Sequence, residues 1–170
     1  MEYYVEYRYD NDIKENFLQN EIALKFKRVK WKFDDNFYII EYDESKPYCG
    51  YFSDEFILVL FIEDSPIHSH PNNLVLYNLK KEIFKIIQAP KPLHYKGNNL
   101  LPISSIGKVK IIDNVKHLLV VISTGGYDMG FSEFRYLNLE TFEYHPTYYE
   151  VQELFGQYSK TPTRWEEYGR

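Results

Sequence analysis

The sequence has very little cysteine, tryptophan or methionine and no long apolar segment. Its single cysteine, Cys49, excludes an internal disulfide and fits a reducing compartment. The longest uninterrupted apolar run, Phe56–Ile62, has seven residues, far fewer than the roughly 20 that a membrane helix needs. The first ten residues lack the basic-then-apolar order of a signal peptide. We therefore predict a soluble, cytoplasmic protein without a membrane segment.

Aromatic residues are abundant, with 17 Tyr and 12 Phe among 170 residues. Tyr and Phe favour the pleated, half-buried surface of a sheet, and Tyr is also enriched at protein interfaces. A chain of this length fits one domain with a substantial core. We predict a single β-rich domain over residues 1–170, with a polar, loosely packed tail over residues 160–170.

The N-terminal residues predict strands and one short helix. Residues 2–9 alternate between apolar and charged side chains, which is typical of a strand. Asp12 and Glu15 have the spacing of a capping box, which predicts a helix over Asp12–Asn20. The alternation of apolar residues shifts parity within residues 22–33, which predicts a β-bulge or a bent strand.

Three segments follow a similar strand–turn–strand order, and the two best copies lie about sixty residues apart. The first strand of each of these two copies is a continuous apolar run, typical of a strand buried on both faces. The three copies are Phe37–Asp43 with Tyr48–Phe52, Phe56–Ile62 with Leu74–Leu79 and Ile83–Ile87, and His117–Ser123 with Phe134–Leu139 and Phe142–Tyr144.

The copies share two finer features. The turn of each opens on an Asx residue, whose side chain can bond the backbone, and an aromatic residue precedes a second large apolar residue by six positions. These residues are Asp43, Asn78 and Asn138, and the pairs Tyr42/Tyr48, Tyr77/Ile83 and Tyr136/Phe142. The last copy, with Gly125–Gly126 after its apolar run, resembles a kelch-type propeller blade over about thirty residues. A plain succession of β-meander hairpins fits the same pattern.

The length of the chain limits the number of blades. Blades of about 40–50 residues allow about three in this chain, whereas closed propellers have about four to eight. We therefore predict a mainly β fold in which antiparallel sheets form an incomplete, open, propeller-like arc of about three blades, with one short N-terminal helix. A plain twisted sheet is the alternative.

Histidines and glycines mark two candidate ligand loops. His68 and His70 alternate and could form half of a zinc site, but no further Cys/His cluster supplies the remaining ligands. Gly125 and Gly126 follow a strand, yet the next element is a predicted strand rather than the helix that a phosphate-binding loop opens. We predict no metal site and no cofactor.

Carboxylate doublets are frequent, but they do not predict catalysis. Adjacent acids on a strand point to opposite faces, so a doublet does not provide two carboxylates in different environments for general acid–base chemistry. No Ser/His/Asp arrangement or activated cysteine accompanies them. We predict no catalytic residue and a protein that is not an enzyme.

Charge is distributed unevenly along the chain. Residues 34–64 contain nine acids and one lysine, a local charge of −8, whereas the remaining residues sum to +3. Residues 25–32 place five basic side chains in eight positions. An acidic surface attracts a basic partner. A solvated sheet rim explains the acidic block equally well, and the acidic balance of the whole chain disfavours nucleic acid.

Composition, size and the missing catalytic centre resemble the immunity proteins of bacterial toxin systems, which cover a cognate toxin with an acidic surface. The resemblance implies a protein-binding module whose partner is a basic toxin domain, with no role for nucleic acid or membrane. Carboxylates would pair with toxin Lys and Arg, and tyrosines would supply anchoring area. The predicted partner-binding residues are Asp34, Asp35, Tyr42, Asp43, Glu44, Tyr48, Tyr51, Asp54 and Glu55.

Two other functions stay open at this stage. A small-ligand or metal-binding enzyme could use the loops around His68/His70 and Gly125/Gly126, which occupy equivalent places in successive copies. A self-associating β scaffold could instead complete the open arc, because its ends would expose unpaired strand edges.

Overall fold

Strands make up the regular structure of the part of the chain that the structure describes, and no helix occurs there. The computed structural model describes residues 1–7, 16–18, 21–41, 46–65, 67–93, 100–124, 131–155, 158–159 and 163–164. The strands are β1 (Tyr3–Tyr7), β2 (Asn16–Leu18), β3 (Glu21–Leu24), β4 (Phe26–Phe33), β5 (Asn36–Glu41), β6 (Pro47–Phe52), β7 (Phe56–Phe61), β8 (Leu74–Asn78), β9 (Ile83–Ile87), β10 (Ile103–Ile112), β11 (Val115–Ser123), β12 (Phe131–Asn138), β13 (Tyr144–Phe155), β14 (Tyr158–Ser159) and β15 (Thr163–Arg164). The mainly β fold is thus confirmed.

Two compact units divide the chain, unit 1 over residues 1–88 and unit 2 over residues 89–170. Unit 1 holds two sheets, sheet A with the order β2-β1-β4-β5 and sheet B with the order β3-β6-β7-β8-β9. Unit 2 holds sheet C, with the order β10-β11-β12-β13-β14 and β15 paired to β13. The described strand pairs are antiparallel, and none of the three sheets closes on itself. A propeller is not seen. A single domain over residues 1–170 stays a prediction.

The predicted N-terminal helix is not seen. Its residues Asn16–Leu18 form strand β2, which pairs with β1 so that Tyr3 lies opposite Leu18. The rest of the predicted helix, residues 12–15 and 19–20, lies outside the described residues. Capping-box spacing expresses only a local preference, whereas pairing with β1 gives the backbone of β2 its hydrogen-bond partners.

The prediction that the two strands of the third, faintest copy pair with each other is wrong. Strand β5 pairs with β4 in sheet A, whereas β6 pairs with β3 and β7 in sheet B. The partner of β5 is fixed by the tight turn between β4 and β5, where Asp34 and Asp35 both have positive φ, 47° and 60°. Two successive positive-φ residues make the type I′ turn that suits a two-residue hairpin.

The other two copies are confirmed as antiparallel meanders, β7-β8-β9 and β11-β12-β13. The return strand of the last copy begins at Tyr144 rather than at Phe142, whose φ is 57°. The Asx prediction is confirmed in both. The Asn78 Oδ1 accepts the backbone N–H groups of Lys80 and Glu82, each at 2.9 Å. The Asn138 Oδ1 accepts those of Glu140 and Thr141 at 2.8 and 3.1 Å. Asp43, in the third copy, lies outside the described residues.

The parity shift within residues 22–33 is a bend at Lys25, where φ is 53°. The bend ends β3 in sheet B and begins β4 in sheet A, so one stretch of chain enters both sheets. The Lys25 backbone N–H donates to the Tyr48 carbonyl at 2.7 Å, which holds the bend against β6. The predicted bent strand is therefore confirmed.

Side chains of sheets A and B share one core in unit 1. The Phe52 ring of β6 lies 5.2 Å from the Tyr3 ring and 5.8 Å from the Phe26 ring, both of sheet A. Trp31 is fully buried, and its indole N–H donates to the Leu79 carbonyl at 2.8 Å. Offset and tilted aromatic contacts of this kind add to the free energy gained from apolar burial. The tyrosines and phenylalanines therefore join the two sheets.

Candidate functional site

Two hairpin turns of unit 1 carry the described members of the predicted acidic site. Asp34 and Asp35 form the turn between β4 and β5, and Asp54 and Glu55 lie in the turn between β6 and β7. Asp35 is almost fully exposed, with 96% of its side chain accessible. These carboxylates are thus placed at strand ends, as the doublet pattern predicts.

Each of these two turns contacts a segment of unit 1 that is distant in sequence. The Tyr3 hydroxyl donates to the Ser53 carbonyl at 2.6 Å, and the N-terminal ammonium of Met1 pairs with Asp54. The Asp34 carboxylate reaches Lys80, in the turn between β8 and β9, at 3.2 Å. We call the group formed by Met1, residues 34–35, residues 53–55 and residues 79–82 the turn end. It combines positions that lie up to about eighty residues apart in sequence.

Cations accompany the acids of the turn end. Besides the pairs made by Asp34 and Asp54, the Asp35 carboxylate binds the Lys32 ammonium at 2.8 Å. Exposed pairs of this kind contribute only about 0–1 kcal/mol each. The turn end is therefore a mixed surface whose carboxylates are held weakly, rather than the unbroken negative patch that residues 34–64 suggest as a sequence.

The predicted tyrosines are not all available to a partner. Tyr51 is only 4% exposed, and its pKa is raised by burial and by the negative charges of Asp54 and Glu55. Tyr48 is half-buried at the start of β6, and Tyr42, Asp43 and Glu44 lie outside the described residues. The sequence could not separate interior from surface tyrosines, because both kinds favour strands.

Phe37 is an exposed aromatic that the sequence reasoning missed. It lies on β5, two residues after the turn at Asp35, and is 60% exposed. The Lys30 ammonium lies 4.2 Å from the centre of its ring, a cation–π contact. Its position beside a type I′ turn is the signal that could have found it, because the turn fixes the face of each following residue.

The basic stretch over residues 25–32 is largely matched by acids of neighbouring strands. Glu6 on β1 accepts the Lys27 ammonium at 3.1 Å and the Arg28 guanidinium at 2.7 Å, and these bonds hold its pKa below the usual range. Arg28 also lies 3.5 Å from Glu41 on β5. Sheet pairing thus mixes charges that the sequence separates.

The loop between β7 and β8 holds the two neighbouring histidines in different environments. His68 is buried, and its ring stacks on Phe61 at 4.5 Å between centres. The His70 Nδ1 lies 2.8 Å from the Asp64 Oδ1, which also accepts the His70 backbone N–H at 2.7 Å. Among the described residues no group of three or more His, Cys, Asp or Glu could hold a metal.

A cavity of about 330 Å³ lies beside this loop, and His68 is one of its walls. The second loop of the ligand-binding alternative, with Gly125 and Gly126, lies outside the described residues. Convergence of the two loops therefore stays a prediction.

Unit 2 contains a buried ion pair that sequence reasoning did not single out. Glu133 is fully buried, and its Oε1 lies 3.0 Å from Arg135 Nη1 on the same strand, β12. The Glu133 Oε2 accepts the Leu93 backbone N–H at 2.9 Å, and Arg135 Nη1 also donates to the Lys91 carbonyl at 3.1 Å. The pair therefore ties the segment before β10 to β12. Its signal in the sequence is an acid and a base two positions apart in a strand with buried neighbours.

Strand β9 is an edge of sheet B in the described structure and exposes apolar residues. Phe84 is 73% exposed, at a register shift opposite Leu76 and Tyr77. A bulge of this kind hinders pairing with a further strand. Self-association through an open edge stays a prediction.

Comparisons with known proteins identify no relative of this chain. No protein-family model, curated protein or solved structure matches this chain. The kelch-like and immunity-protein resemblances therefore stay predictions. In the described residues, none of the elements is a helix with the length and apolar character needed to cross a membrane.

The buried position of His68 predicts a pH dependence of stability. Burial lowers its pKa below the ordinary 6.5, although the negative charge of Asp64 opposes this shift. Between the lowered pKa and 6.5 the unfolded chain binds more protons than the folded one, so stability falls as pH decreases through this window. We expect unit 1 to lose stability below about pH 6.5, with the His68 ring titrating below 6.5 by NMR.

The matched variants for this prediction are His68→Phe, which keeps a ring against Phe61, and His70→Gln. His68→Phe should flatten the slope of unfolding free energy against pH between 7 and 5, whereas His70→Gln should leave most of it. An unchanged slope in His68→Phe would assign the pH dependence to other groups.

Proposed function

We propose that this chain is a protein-binding module that acts as an immunity protein, neutralising a cognate bacterial toxin by covering a basic domain of it with the turn end of unit 1. The observation that carries the proposal is that two separate hairpin turns of the turn end carry Asp34, Asp35, Asp54 and Glu55, with Asp34 paired to Lys80 and Asp54 to the N-terminal ammonium. Residues distant in sequence thus supply exposed carboxylates to the turn end.

The turn end can exchange its own ion pairs for those of a partner. Its carboxylates bind Lys32, Lys80 and the N-terminus through exposed pairs, which are individually weak. Lysine and arginine side chains of a toxin can therefore replace them at little cost in free energy. Charges at the rim of an interface mainly accelerate association and set its salt dependence.

Phe37 supplies the apolar anchor in this proposal. Its exposed ring lies next to the β4–β5 turn, and large aromatic side chains dominate the free energy of protein interfaces. It takes the anchoring role that we predicted from the sequence for Tyr51, which is buried. Asp34, Asp35, Asp54, Glu55 and Phe37 thus form the proposed contact surface.

The test is a charge-changing variant of the turn end, with substitutions Asp34→Asn, Asp35→Asn, Asp54→Lys and Glu55→Lys. Asn preserves the type I′ turn because it tolerates positive φ. The measurement is stopped-flow association with the toxin domain encoded by the neighbouring gene, at low and at physiological salt. We expect association at low salt to slow by about tenfold or more and to depend less on salt.

The matched control changes net charge by the same amount elsewhere on the surface, with Asp113→Asn, Glu63→Gln, Glu140→Lys and Glu143→Lys. Asp113 is also a positive-φ turn residue, with φ of 51°. The control variant should associate at a rate closer to that of the original chain. Equal rates for the two variants would contradict the proposed surface, and failure of the original chain to bind or neutralise the toxin domain would contradict the proposed function.

A further inference from the structure

The cavity beside the β7–β8 loop has a wall of uncharged polar groups. Ser65 and Ser69 contribute hydroxyls, Asn72 and Gln88 contribute amides, and His68 contributes an imidazole. Hydroxyls and amides each offer both donors and acceptors. No charged side chain lines the cavity among the described residues.

Hydrogen bonds within the loop fix its shape before any ligand arrives. The Ser65 Oγ accepts the backbone N–H groups of Ile67 and His68 at 3.2 and 3.3 Å. The Asn72 backbone N–H donates to the Ser69 carbonyl at 2.8 Å. A preorganised wall loses little conformational entropy on binding, which favours affinity for a small ligand.

The loop is also fastened to the end of β7. The Asn73 side-chain amide donates to the Phe61 carbonyl at 2.7 Å, and the Phe61 backbone N–H donates to the Asn73 carbonyl at 2.9 Å. The Asp64 carboxylate holds His70 outside the cavity wall. The wall is therefore supported by a strand on one side and by the hydrogen bonds between Asp64 and His70 on the other.

His68 has a hydrogen-bonding group that the described residues do not use. Only 5% of the residue is exposed, and its Nδ1 is buried without a hydrogen-bond partner in the described structure. A buried polar atom without a partner is uncommon and calls for a cause such as a bound water or ligand. The imidazole that carries this atom also lines the cavity, so a molecule bound there would contact the ring.

The chemistry of the wall disfavours two classes of ligand. A charged ligand would lose hydration without meeting an opposite charge. An apolar ligand would displace water from the polar groups of the wall without replacing its hydrogen bonds. Ile67 and Ile86 supply only a small aliphatic surface beside these groups. A neutral molecule with many hydroxyl groups satisfies both conditions.

We propose that this cavity binds a small, uncharged, hydroxyl-rich molecule, of the size of one or two sugar rings. The cavity volume of about 330 Å³ lies at the lower end of the range of small-molecule sites, which begins near 300 Å³. Amide side chains such as Gln88 can donate to one hydroxyl and accept from the next, which suits adjacent hydroxyls on a ring. The site lies in unit 1 and needs no protein partner.

The experiment is an NMR titration of the full chain, observing backbone amides and histidine rings. The probes are glucose, galactose and maltose, with glucose 6-phosphate as a charged comparison and cyclohexanol as an apolar one. We expect saturable shifts for at least one neutral sugar, concentrated in residues 65–72, residue 88 and the His68 ring. The charged and apolar probes should bind at least about tenfold more weakly, a difference of about 1.4 kcal/mol.

Two variants test the contributions of Gln88 and His68 to the cavity wall. Gln88→Ala changes an exposed side chain and should weaken sugar binding about two- to tenfold, the effect of one hydrogen bond. His68→Phe keeps the stacking on Phe61 and should weaken binding at least as much. Asn36→Ala, which removes an exposed amide from the distant β4–β5 turn, is the control and should bind as the original chain does.

Three results would overturn the proposal. One is the absence of a saturable shift with every neutral sugar, and another is tighter binding of the phosphate or of cyclohexanol. The third is unchanged sugar affinity in both Gln88→Ala and His68→Phe, which would place the sugar elsewhere on the chain. If His68→Phe unfolds, Gln88→Ala decides alone.

Discussion

Replacement of Arg135 by methionine is expected to lower the free energy of unfolding of unit 2 by about 3–5 kcal/mol. Arg135 is buried and its guanidinium lies 3.0 Å from the fully buried Glu133 carboxylate. Removing the cation leaves the carboxylate to bear its negative charge in a low-dielectric interior. The substitution also removes the donor to the Lys91 carbonyl. Denaturant unfolding and hydrogen exchange of β12 amides measure the loss.

A double-mutant cycle separates the ion pair from simple packing. Glu133→Gln alone leaves the buried guanidinium without its anion, and the double variant Glu133→Gln/Arg135→Met removes both charges. We expect the double variant to be more stable than the sum of the two single losses implies, because neither charge is then left buried alone. Lys32→Met breaks an exposed pair with Asp35 and should cost no more than about 1 kcal/mol. Additive losses in the cycle would contradict coupling between Glu133 and Arg135.

Local patterns of the sequence predicted much of the fold. Most of the continuous apolar run Phe56–Ile62 became strand β7, with nearly every residue buried, and the Asx turns at Asn78 and Asn138 form as expected. The parity shift near Lys25 became a bend between two sheets. Each of these features depends on side chains within a few residues of one another, and for that reason a single sequence contains them.

Pairing between distant strands could not be predicted in the same way. Strand β5 could in principle pair with the strand before or after it, and the type I′ turn at Asp34 and Asp35 decides for β4. The capping-box spacing of the N-terminal segment favours a helix locally, but β1 provides a long-range partner for Asn16–Leu18. Propensity is overridden where such pairing satisfies the backbone.

The sequence predicted which residues belong to the candidate sites, but not how these residues contact one another or which of them are buried. Sequence spacing located the acids and the two loop histidines, but it could not show that Asp34 meets Lys80 or that His68 is buried while His70 is held by Asp64. The loss of an apparently unbroken acidic surface follows from sheet pairing, which places cations of other strands among the acids.

The second large effect is expected at Trp31, the indole that joins the two sheets of unit 1. Trp31→Ala should lower the free energy of unfolding by about 3–5 kcal/mol, because it removes a large, fully buried ring and leaves a cavity. The ring stacks on Tyr38 at 5.7 Å between centres and lies 5.9 Å from Tyr3. Its loss therefore removes these two ring contacts and the hydrogen bond to the Leu79 carbonyl. Denaturant unfolding followed by circular dichroism measures the change.

Trp31→Phe separates the free energy contributed by the aromatic ring from that contributed by the indole N–H group. Phenylalanine keeps an aromatic ring next to Tyr38 but cannot donate to the Leu79 carbonyl, which accepts the indole N–H at 2.8 Å. A buried carbonyl deprived of its donor costs about 1–3 kcal/mol, so Trp31→Phe should lie between the original chain and Trp31→Ala. Phe37→Ala, on the exposed face of the same sheet, should change stability by no more than about 1 kcal/mol. If Trp31→Ala were no more harmful than Phe37→Ala, the Trp31 ring and its bond to the Leu79 carbonyl would not hold sheet A to sheet B.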